Sequence, residues 1–295
     1  MRQNFLRHSS GPDIDATGCQ IDSHQAVPSP SVAIIRTMKA SRSPLAFLAL
    51  SICIFVSQST VAQTKPAAAS APAATVQVPF VGCASDGQVG PLKAPTGTDK
   101  AIAISPASAQ RLAYYKAKNS VGVLAPRGWN CFSTYGSNGS NLFVSPDPID
   151  SNAFFSSDWK GFSGPIIEIS GVSGGTSGRF QVAQVIARVF PAYKAFAQSV
   201  IGEGVEPASS FPSGPYPADK LTYRSKSTLE FETPANTEGL GTTADIQAAS
   251  TQIDGVAVIS GPDTDLVLLS ARVPPVDRDL IQIIVGQVEL EAATP

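Results

Sequence analysis

Histidine is the scarcest reactive side chain in this sequence. The 295-residue chain contains two, His8 and His24, and both lie near its N-terminus. A signal peptide is predicted downstream of both, so the exported chain would carry no imidazole at all. Because histidine is the usual base for a serine nucleophile, a Ser-His-Asp triad is excluded if the leader is removed.

Charge is also sparse. Charged residues make up 15% of the chain, and the formal net charge is −2. The predicted leader takes five basic and three acidic residues with it, which leaves a net charge of −4. No long basic run interrupts this mild acidity, so we expect no nucleic-acid partner and membrane contact through the signal peptide only. With two mature cysteines and no histidine, we expect neither a metal nor another cofactor.

Residues 38–62, MKASRSPLAFLALSICIFVSQSTVA, have the three parts of a signal peptide. Lys39 and Arg42 supply the positive start, residues 45–56 the apolar stretch, and Ala62 the small residue before cleavage. The apolar stretch is shorter than the roughly 20 residues that span a bilayer. We therefore expect cleavage near Ala62 and a periplasmic or secreted protein.

The regions on either side of the leader differ in composition. Residues 1–37 are polar and precede a signal that normally begins a chain, so they are either the product of a misplaced start codon or a disordered extension. Residues 63–75, QTKPAAASAPAAT, form an Ala/Pro-rich linker. Residues 76–295 are numerous enough for one substantial core, and we predict a single globular domain there.

Two cysteines, Cys83 and Cys131, remain after the predicted cleavage. An even pair in an exported chain predicts a disulfide. Trp129 lies two residues before Cys131, so on a strand the indole and the sulfur would share one face.

Local patterns predict the elements of this domain. Residues 106–119 read as a helix that follows a capping serine, and residues 136–141 as the tip of a hairpin. A second helix should kink or restart at Pro191, and a last helix should begin at Pro275. Residues 221–233 alternate as one antiparallel strand with a solvated face. The pattern predicts an α+β domain with a largely antiparallel sheet and about three helices packed on it.

A serine motif lies in ISGVSGGTSGRF, residues 169–180, where G-x-S-x-G surrounds Ser173. The following helix is predicted to begin several residues too late for a nucleophile elbow, and no histidine is present to act as base. Ser157 and Lys160 match S-x-x-K, but their segment reads as a turn and no K-T-G partner occurs. A hydrolase that uses Ser173 or Ser157 with a lysine is therefore the alternative hypothesis.

The same glycine-rich segment has two other interpretations. It could simply connect a strand to a helix, with Thr176 or Ser177 as the helix cap. It could also bind a small anion through backbone amides, hydroxyls and a guanidinium. The candidate residues of that site are Ser173, Gly174, Gly175, Thr176, Ser177 and Arg179. The Pro/Ser/Gly-rich residues 203–220 are the candidate lid.

Glu168 interrupts the apolar strand PIIEIS and shares a side with Ile166 and Ser170. A carboxyl group in such a place could have a raised pKa and act as a general acid or base. It could equally be a structural edge or paired residue.

The sequence favours an exported, non-catalytic protein that binds a partner or a small anionic ligand. The alternatives are a histidine-independent hydrolase, with Ser173, Ser157 or Glu168 as its reactive group, and a structural module without a pocket.

Overall fold

The computed structural model describes residues 75–292. The predicted N-terminal extension (1–37), the predicted signal peptide (38–62) and residues 63–74 of the predicted linker lie outside the described residues.

The described chain contains twelve strands and five α-helices, joined by turns and three short 3₁₀ helices. The strands are β1 (Thr75–Val78), β2 (Phe80–Gly87), β3 (Lys100–Ala103), β4 (Leu112–Ala117), β5 (Val123–Pro126), β6 (Asn130–Gly136), β7 (Gly139–Ser145), β8 (Ile166–Val172), β9 (Lys220–Tyr223), β10 (Thr228–Thr233), β11 (Ile253–Ser260) and β12 (Asp265–Arg272). The helices are α1 (Pro106–Arg111), α2 (Ser151–Phe154), α3 (Arg179–Val189), α4 (Lys194–Gly202) and α5 (Ile281–Ala292).

Ten of the strands form one mixed sheet in the order β5-β4-β2-β6-β7-β8-β12-β11-β10-β9, and β1 pairs with β3 separately. β2 runs parallel to both of its neighbours, β4 and β6, because the chain leaves the sheet through β3 and α1 before it returns as β4. The prediction of a largely antiparallel sheet with about three helices is corrected to a large mixed sheet with five α-helices. The α+β class itself is confirmed.

The two faces of the sheet have different cores, because alternate residues of each strand point to opposite sides. Ile167 and Ile169 of β8 belong to the same buried cluster as Ile284 of α5. Val172 of β8 belongs to the cluster around Val182 of α3 and the helix α4. A third, smaller cluster lies near the start of β8 and is built from Phe143, Phe162, Ile166, Ile246 and Ile253.

The predicted disulfide is confirmed. Cys83 and Cys131 are bonded, with Cα atoms 5.4 Å apart. β2 pairs with β4 over Phe80–Cys83 and with β6 over Ala84–Gly87. The disulfide therefore joins β2 to β6 at the point where β2 changes partner. Trp129 packs against the same buried cluster that includes Cys83.

Two predicted elements are wrong in extent. The helix predicted over residues 106–119 ends at Arg111, and the chain continues as the buried strand β4. The strand predicted over residues 221–233 is the hairpin of β9 and β10. The hairpin tip near residues 136–141 and the helix restart at Pro191 are both confirmed.

Within residues 75–292, none of the helices combines the length and the apolar character that crossing a bilayer requires.

Candidate functional site

Ser173 lies directly after β8, and its described hydrogen bonds are made by its backbone. Its N–H donates to the Asn138 carbonyl (3.0 Å), and its own carbonyl accepts from the Thr176 hydroxyl (3.1 Å). Helix α3 begins only at Arg179. The turn is therefore longer than a nucleophile elbow, in which the helix follows the serine closely.

The glycine-rich loop is held against the turn between β11 and β12. The amide of Gly174 donates to the Asp265 carboxylate (2.9 Å). A Cβ atom at Gly174 would collide with the backbone oxygens of Asp263 and Thr264, so the close approach requires glycine. The backbone amide of Gly174, which we predicted to bind an external anion, is therefore already hydrogen-bonded to a carboxylate of the protein itself.

Arg179 is also engaged. Its Nε and Nη2 atoms donate to both carboxylate oxygens of Glu203 at 2.7–3.0 Å, and Nη1 donates to the Thr176 carbonyl (3.0 Å). The hydrogen bonds from Arg179 lower the pKa of Glu203 below its ordinary value. These contacts tie the start of α3 to the end of α4, as expected if the loop is a strand-to-helix connection.

The cap of α3 differs from the prediction. The N-cap residue is Gly178, and no side chain caps the helix. The Thr176 hydroxyl accepts from the Gly178 amide (3.3 Å) instead, while the Ser177 hydroxyl contacts that of Ser137 (3.2 Å). Gly175 is exposed beside the Asp263 carboxylate.

Ser157 and Lys160 both lie in the exposed turn after α2, which ends at Phe154. An S-x-x-K pair acts through a helix that holds serine and lysine on one face. In the structure these two residues lie in a non-helical segment, so no helix aligns the serine with the lysine.

Glu168 is buried in the middle of the sheet, with 3% of its surface exposed. Its Oε2 accepts a hydrogen bond from the Thr243 hydroxyl (3.0 Å), and Oε1 accepts from the Ser170 hydroxyl (3.4 Å). Both partners are neutral, and none of the described salt bridges includes Glu168. The predicted neighbour Ser170 is therefore confirmed as a contact, whereas Thr243 comes from a distant part of the chain.

Asp245 is the charged neighbour of Glu168. Its Oδ1 accepts from the Trp159 indole N–H (3.3 Å). Burial, followed by the charge of Asp245, raises the pKa of Glu168 to about 8, and burial raises the pKa of Asp245 as well. Two carboxyl groups without a cation between them thus share one buried region, so Glu168 is predominantly protonated at neutral pH.

Thr243 holds this region together. Besides its donation to Glu168, its hydroxyl accepts from the amides of Asp245 and Ile246, both at 3.0 Å. Nothing in the sequence near Glu168 signals this contact, since Thr243 lies 75 positions away. The sequence feature that could have indicated a covering segment is the connection at residues 234–252, because it is longer than most loops.

The neighbouring strand β12 adds two buried polar side chains. Ser270 lies opposite Glu168 in the register, and its hydroxyl has no hydrogen-bond partner within residues 75–292. Arg272 is 2% exposed and donates to the carbonyls of Phe162 (3.3 Å), Gly164 (3.2 Å) and Gln247. All the described hydrogen bonds of Arg272 are therefore donated to backbone carbonyls, and none is donated to a carboxylate.

A surface region adjoins these buried groups. An open depression of about 510 Å³ is lined by Glu238, Thr242, Thr243, Ala244, Ile246, Gln247 and Ala248. The indole of Trp159 donates to Asp245, which lies in the chain between the lining residues Ala244 and Ile246, and the ring of Trp159 lies 5.4 Å from that of Phe154. Phe154 contacts Phe155 edge-on at 5.2 Å, and Phe155 is 51% exposed. We call the depression together with Phe154, Phe155 and Trp159 the aromatic corner.

The part of the chain that the structure describes brings no three His, Cys, Asp or Glu side chains into a group that could hold a metal ion. Comparisons with protein-family models, with curated proteins and with solved structures find no match to this chain.

Proposed function

We propose that the chain is an exported, non-catalytic binding protein that acts in the periplasm or after secretion. The disulfide and the absence of a membrane-spanning helix among residues 75–292 are compatible with export. The signal-peptide pattern of the sequence is the further support for this localisation.

The contacts of the reactive candidates support the non-catalytic part of the proposal. Ser173 is fixed by its backbone in a structural loop, and Ser157 lies on an exposed turn. The pKa of Glu168 is raised by burial, but its carboxyl group is covered by Thr243. A hydrolase that uses Glu168 would need the covering segment to open before a substrate could reach the carboxyl group.

The aromatic corner is the surface best suited to a ligand, and its combination of an exposed ring with a polar depression carries the proposal. Binding sites commonly unite aromatic surface with a few polar groups. The exposed charges of this surface and its adjoining segment are mostly acidic: Glu238 lines the depression, Asp150 caps α2, and Asp158 and Lys160 flank Trp159. We therefore expect this surface to prefer a neutral or cationic partner group.

Two small probes of the same shape and opposite charge test this surface. Benzamidine should shift the amide resonances around Phe155 and residues 243–248 and the indole resonance of Trp159, whereas benzoate should not, because the acidic residues repel it. The measurement is a two-dimensional NMR titration of the exported chain with each probe. Phe155→Ser should weaken benzamidine binding several-fold by removing the exposed ring.

Val276→Ser is the matched control, since Val276 is also highly exposed but precedes α5, which covers the other face of the sheet. It should leave the benzamidine shifts unchanged. Equal binding of both probes, or shifts that cluster away from residues 243–248, would contradict the assignment of this surface.

The glycine-rich loop is the second candidate, for a small anionic ligand. The observation that favours it is the start of α3, where the N-cap Gly178 supplies no side chain to the helix amides. Helix N-termini attract anions through their free amides and the helix dipole. Because Glu203 holds Arg179 in a two-point contact, an anion at this place would have to compete with that carboxylate.

Glu203→Gln tests the second candidate, because it removes the competing negative charge while it keeps the side-chain shape. Sulfate should then raise the melting temperature of the variant more than that of the wild-type protein, with the excess abolished by Arg179→Ala in the same background. Thermal unfolding at increasing sulfate and matched ionic strength measures this difference. If sulfate raises all three melting temperatures equally, the loop is a structural connection alone.

A further inference from the structure

The connection between β10 and β11 takes an unusual path. These strands are neighbours in the sheet, so a short turn would suffice, yet residues 234–252 intervene. The connection crosses β12 and reaches β8, where Thr243 contacts Glu168. It also forms a parallel bridge between Ile246 and Phe162. We call residues 234–252 the strap.

The strap is attached mainly by polar contacts. The amide of Phe162 donates to the Asp245 carbonyl (2.6 Å), and the amide of Gln247 donates to the Phe162 carbonyl (3.0 Å). The amide of Leu240 donates to the Asp219 carboxylate (2.7 Å) near the end where the strap leaves β10. Two apolar side chains of the strap are buried: Ile246 lies in the small cluster with Phe162, and Leu240 lies in the cluster that includes Val182 of α3. A segment held mostly by hydrogen bonds opens at lower free energy than a packed core.

The charges around Glu168 come from two elements. The strap contributes Asp245, and β12 contributes Arg272, whose guanidinium donates to the backbone carbonyls of Phe162, Gly164 and Gln247. The other groups that face Glu168, Phe143 of β7 and Ser270 of β12, do not titrate. When Glu168 loses its proton, its negative charge meets that of Asp245. Arg272 does not neutralise it, because the described hydrogen bonds of its guanidinium go to backbone carbonyls and none of the described salt bridges joins it to a carboxylate. Movement of the strap is the change that separates the two carboxylates and admits water to Glu168.

We propose that the strap is a protonation-controlled cover, which stays seated on the sheet while Glu168 is neutral and opens when Glu168 is ionised. The buried side chains of Glu168, Ser170 and Ser270 lie together beneath it and reach water in the open state. This inference is independent of the ligand proposed above, because it concerns only the contacts between the strap and the sheet.

Hydrogen exchange of the strap amides between pH 5 and pH 8 tests the proposal. After correction for the intrinsic pH dependence of exchange, the opening constant of Ile246 and Gln247 should rise about tenfold per pH unit over this range, since opening releases one proton. In Glu168→Gln the corrected opening constant should be independent of pH, while the backbone amides of β7 remain more protected than the strap in both proteins.

Glu238→Gln is the matched control, because it removes an exposed carboxylate from the strap itself and should keep the tenfold slope. A Trp129→Phe background leaves Trp159 as the single tryptophan, and its fluorescence should report the same opening through its bond to Asp245. A flat wild-type profile, or a slope that persists in Glu168→Gln, would overturn the proposal. A slope shared equally by the strap and β7 would show global unfolding and would overturn it as well.

Discussion

Removal of the disulfide, by Cys83→Ala together with Cys131→Ala, should lower the free energy of unfolding by roughly 4 kcal/mol according to the chain-entropy account of cross-links. The bond closes a loop with a sequence separation of 48. It also lies where β2 changes partner, so without it the pairing of β2 with β6 rests on the register from Ala84 to Gly87. We expect the loss to fall on the attachment of β4 and β5 to the rest of the sheet.

Urea unfolding of the oxidised protein, the reduced protein and the double variant measures this effect. Reductant should lower the stability of the wild-type protein to about the level of the variant, and it should leave the variant unchanged. Because Cys83 is 1% exposed, the alanine variant also loses some packing of the sulfur, which the reduced wild-type protein retains. A loss below about 1 kcal/mol in both proteins would show that strand pairing alone holds the two parts of the sheet together.

Local sequence signals predicted the features of this fold that depend on local chemistry. The hairpin of β6 and β7 follows from the glycines around its tip, and the restart at Pro191 follows from the missing backbone donor. The cysteine pair followed from the even count in an exported chain. Each of these predictions depends on residues whose type restricts the backbone or the covalent structure directly.

The segment LAYYKA, residues 112–117, shows where local signals fail. Alanine and lysine favour a helix, and the segment follows the capped helix α1 without a proline or glycine to end it. Tyr114 and Tyr115 are nevertheless both buried in β4, within the same core cluster as Ile284 of α5. Two consecutive buried aromatic side chains suit a strand in the interior of a sheet, and this tertiary environment overrides helix propensity. The parallel position of β2 beside β4 was missed for the same reason, since strand order depends on distant contacts.

In the candidate site, too, the local sequence predicts some features and the distant contacts determine the others. The position of Glu168 within an apolar strand was visible in the sequence, and so was its proximity to Ser170. Its partners Thr243 and Asp245 were not, because they come from the strap, which has no regular pattern. The sequence of the glycine-rich loop matches a nucleophile or anion site, but the contacts of Gly174 with Asp265 and of Arg179 with Glu203 join distant parts of the chain and have no local signature.

Replacement of Glu168 by glutamine should change the pH dependence of global stability. The pKa of Glu168 is about 8 in the folded protein, against an ordinary value of 4.5. The folded state therefore prefers the protonated carboxyl group. The associated stability is fully present below about pH 4.5 and is lost as the pH rises towards 8. At about 1.4 kcal/mol per pKa unit, the loss is on the order of 4 kcal/mol.

Glutamine cannot ionise, and its carbonyl oxygen can still accept the hydrogen bond of Thr243. The two proteins should therefore have similar free energies of unfolding near pH 4.5, and the variant should be the more stable one by several kcal/mol at pH 8. Denaturant unfolding at a series of pH values gives both curves, and their difference isolates Glu168 from the other titrating groups. Glu238→Gln, the exposed counterpart, should follow the wild-type curve.

Parallel curves for the wild-type protein and Glu168→Gln would contradict the raised pKa of Glu168. Asp245→Asn separates the two causes of that shift, since it removes the neighbouring charge but leaves Glu168 buried. If burial dominates, as its larger contribution implies, Asp245→Asn should retain most of the stability loss between pH 4.5 and 8. Glu168 lowers the stability of the folded protein above about pH 4.5, because its carboxyl group is buried in the sheet with hydrogen-bond donors but no salt-bridge partner among the described residues. A role for this side chain should therefore be sought in the strap that covers it, since local rules of stability are broken most often where a residue serves another purpose.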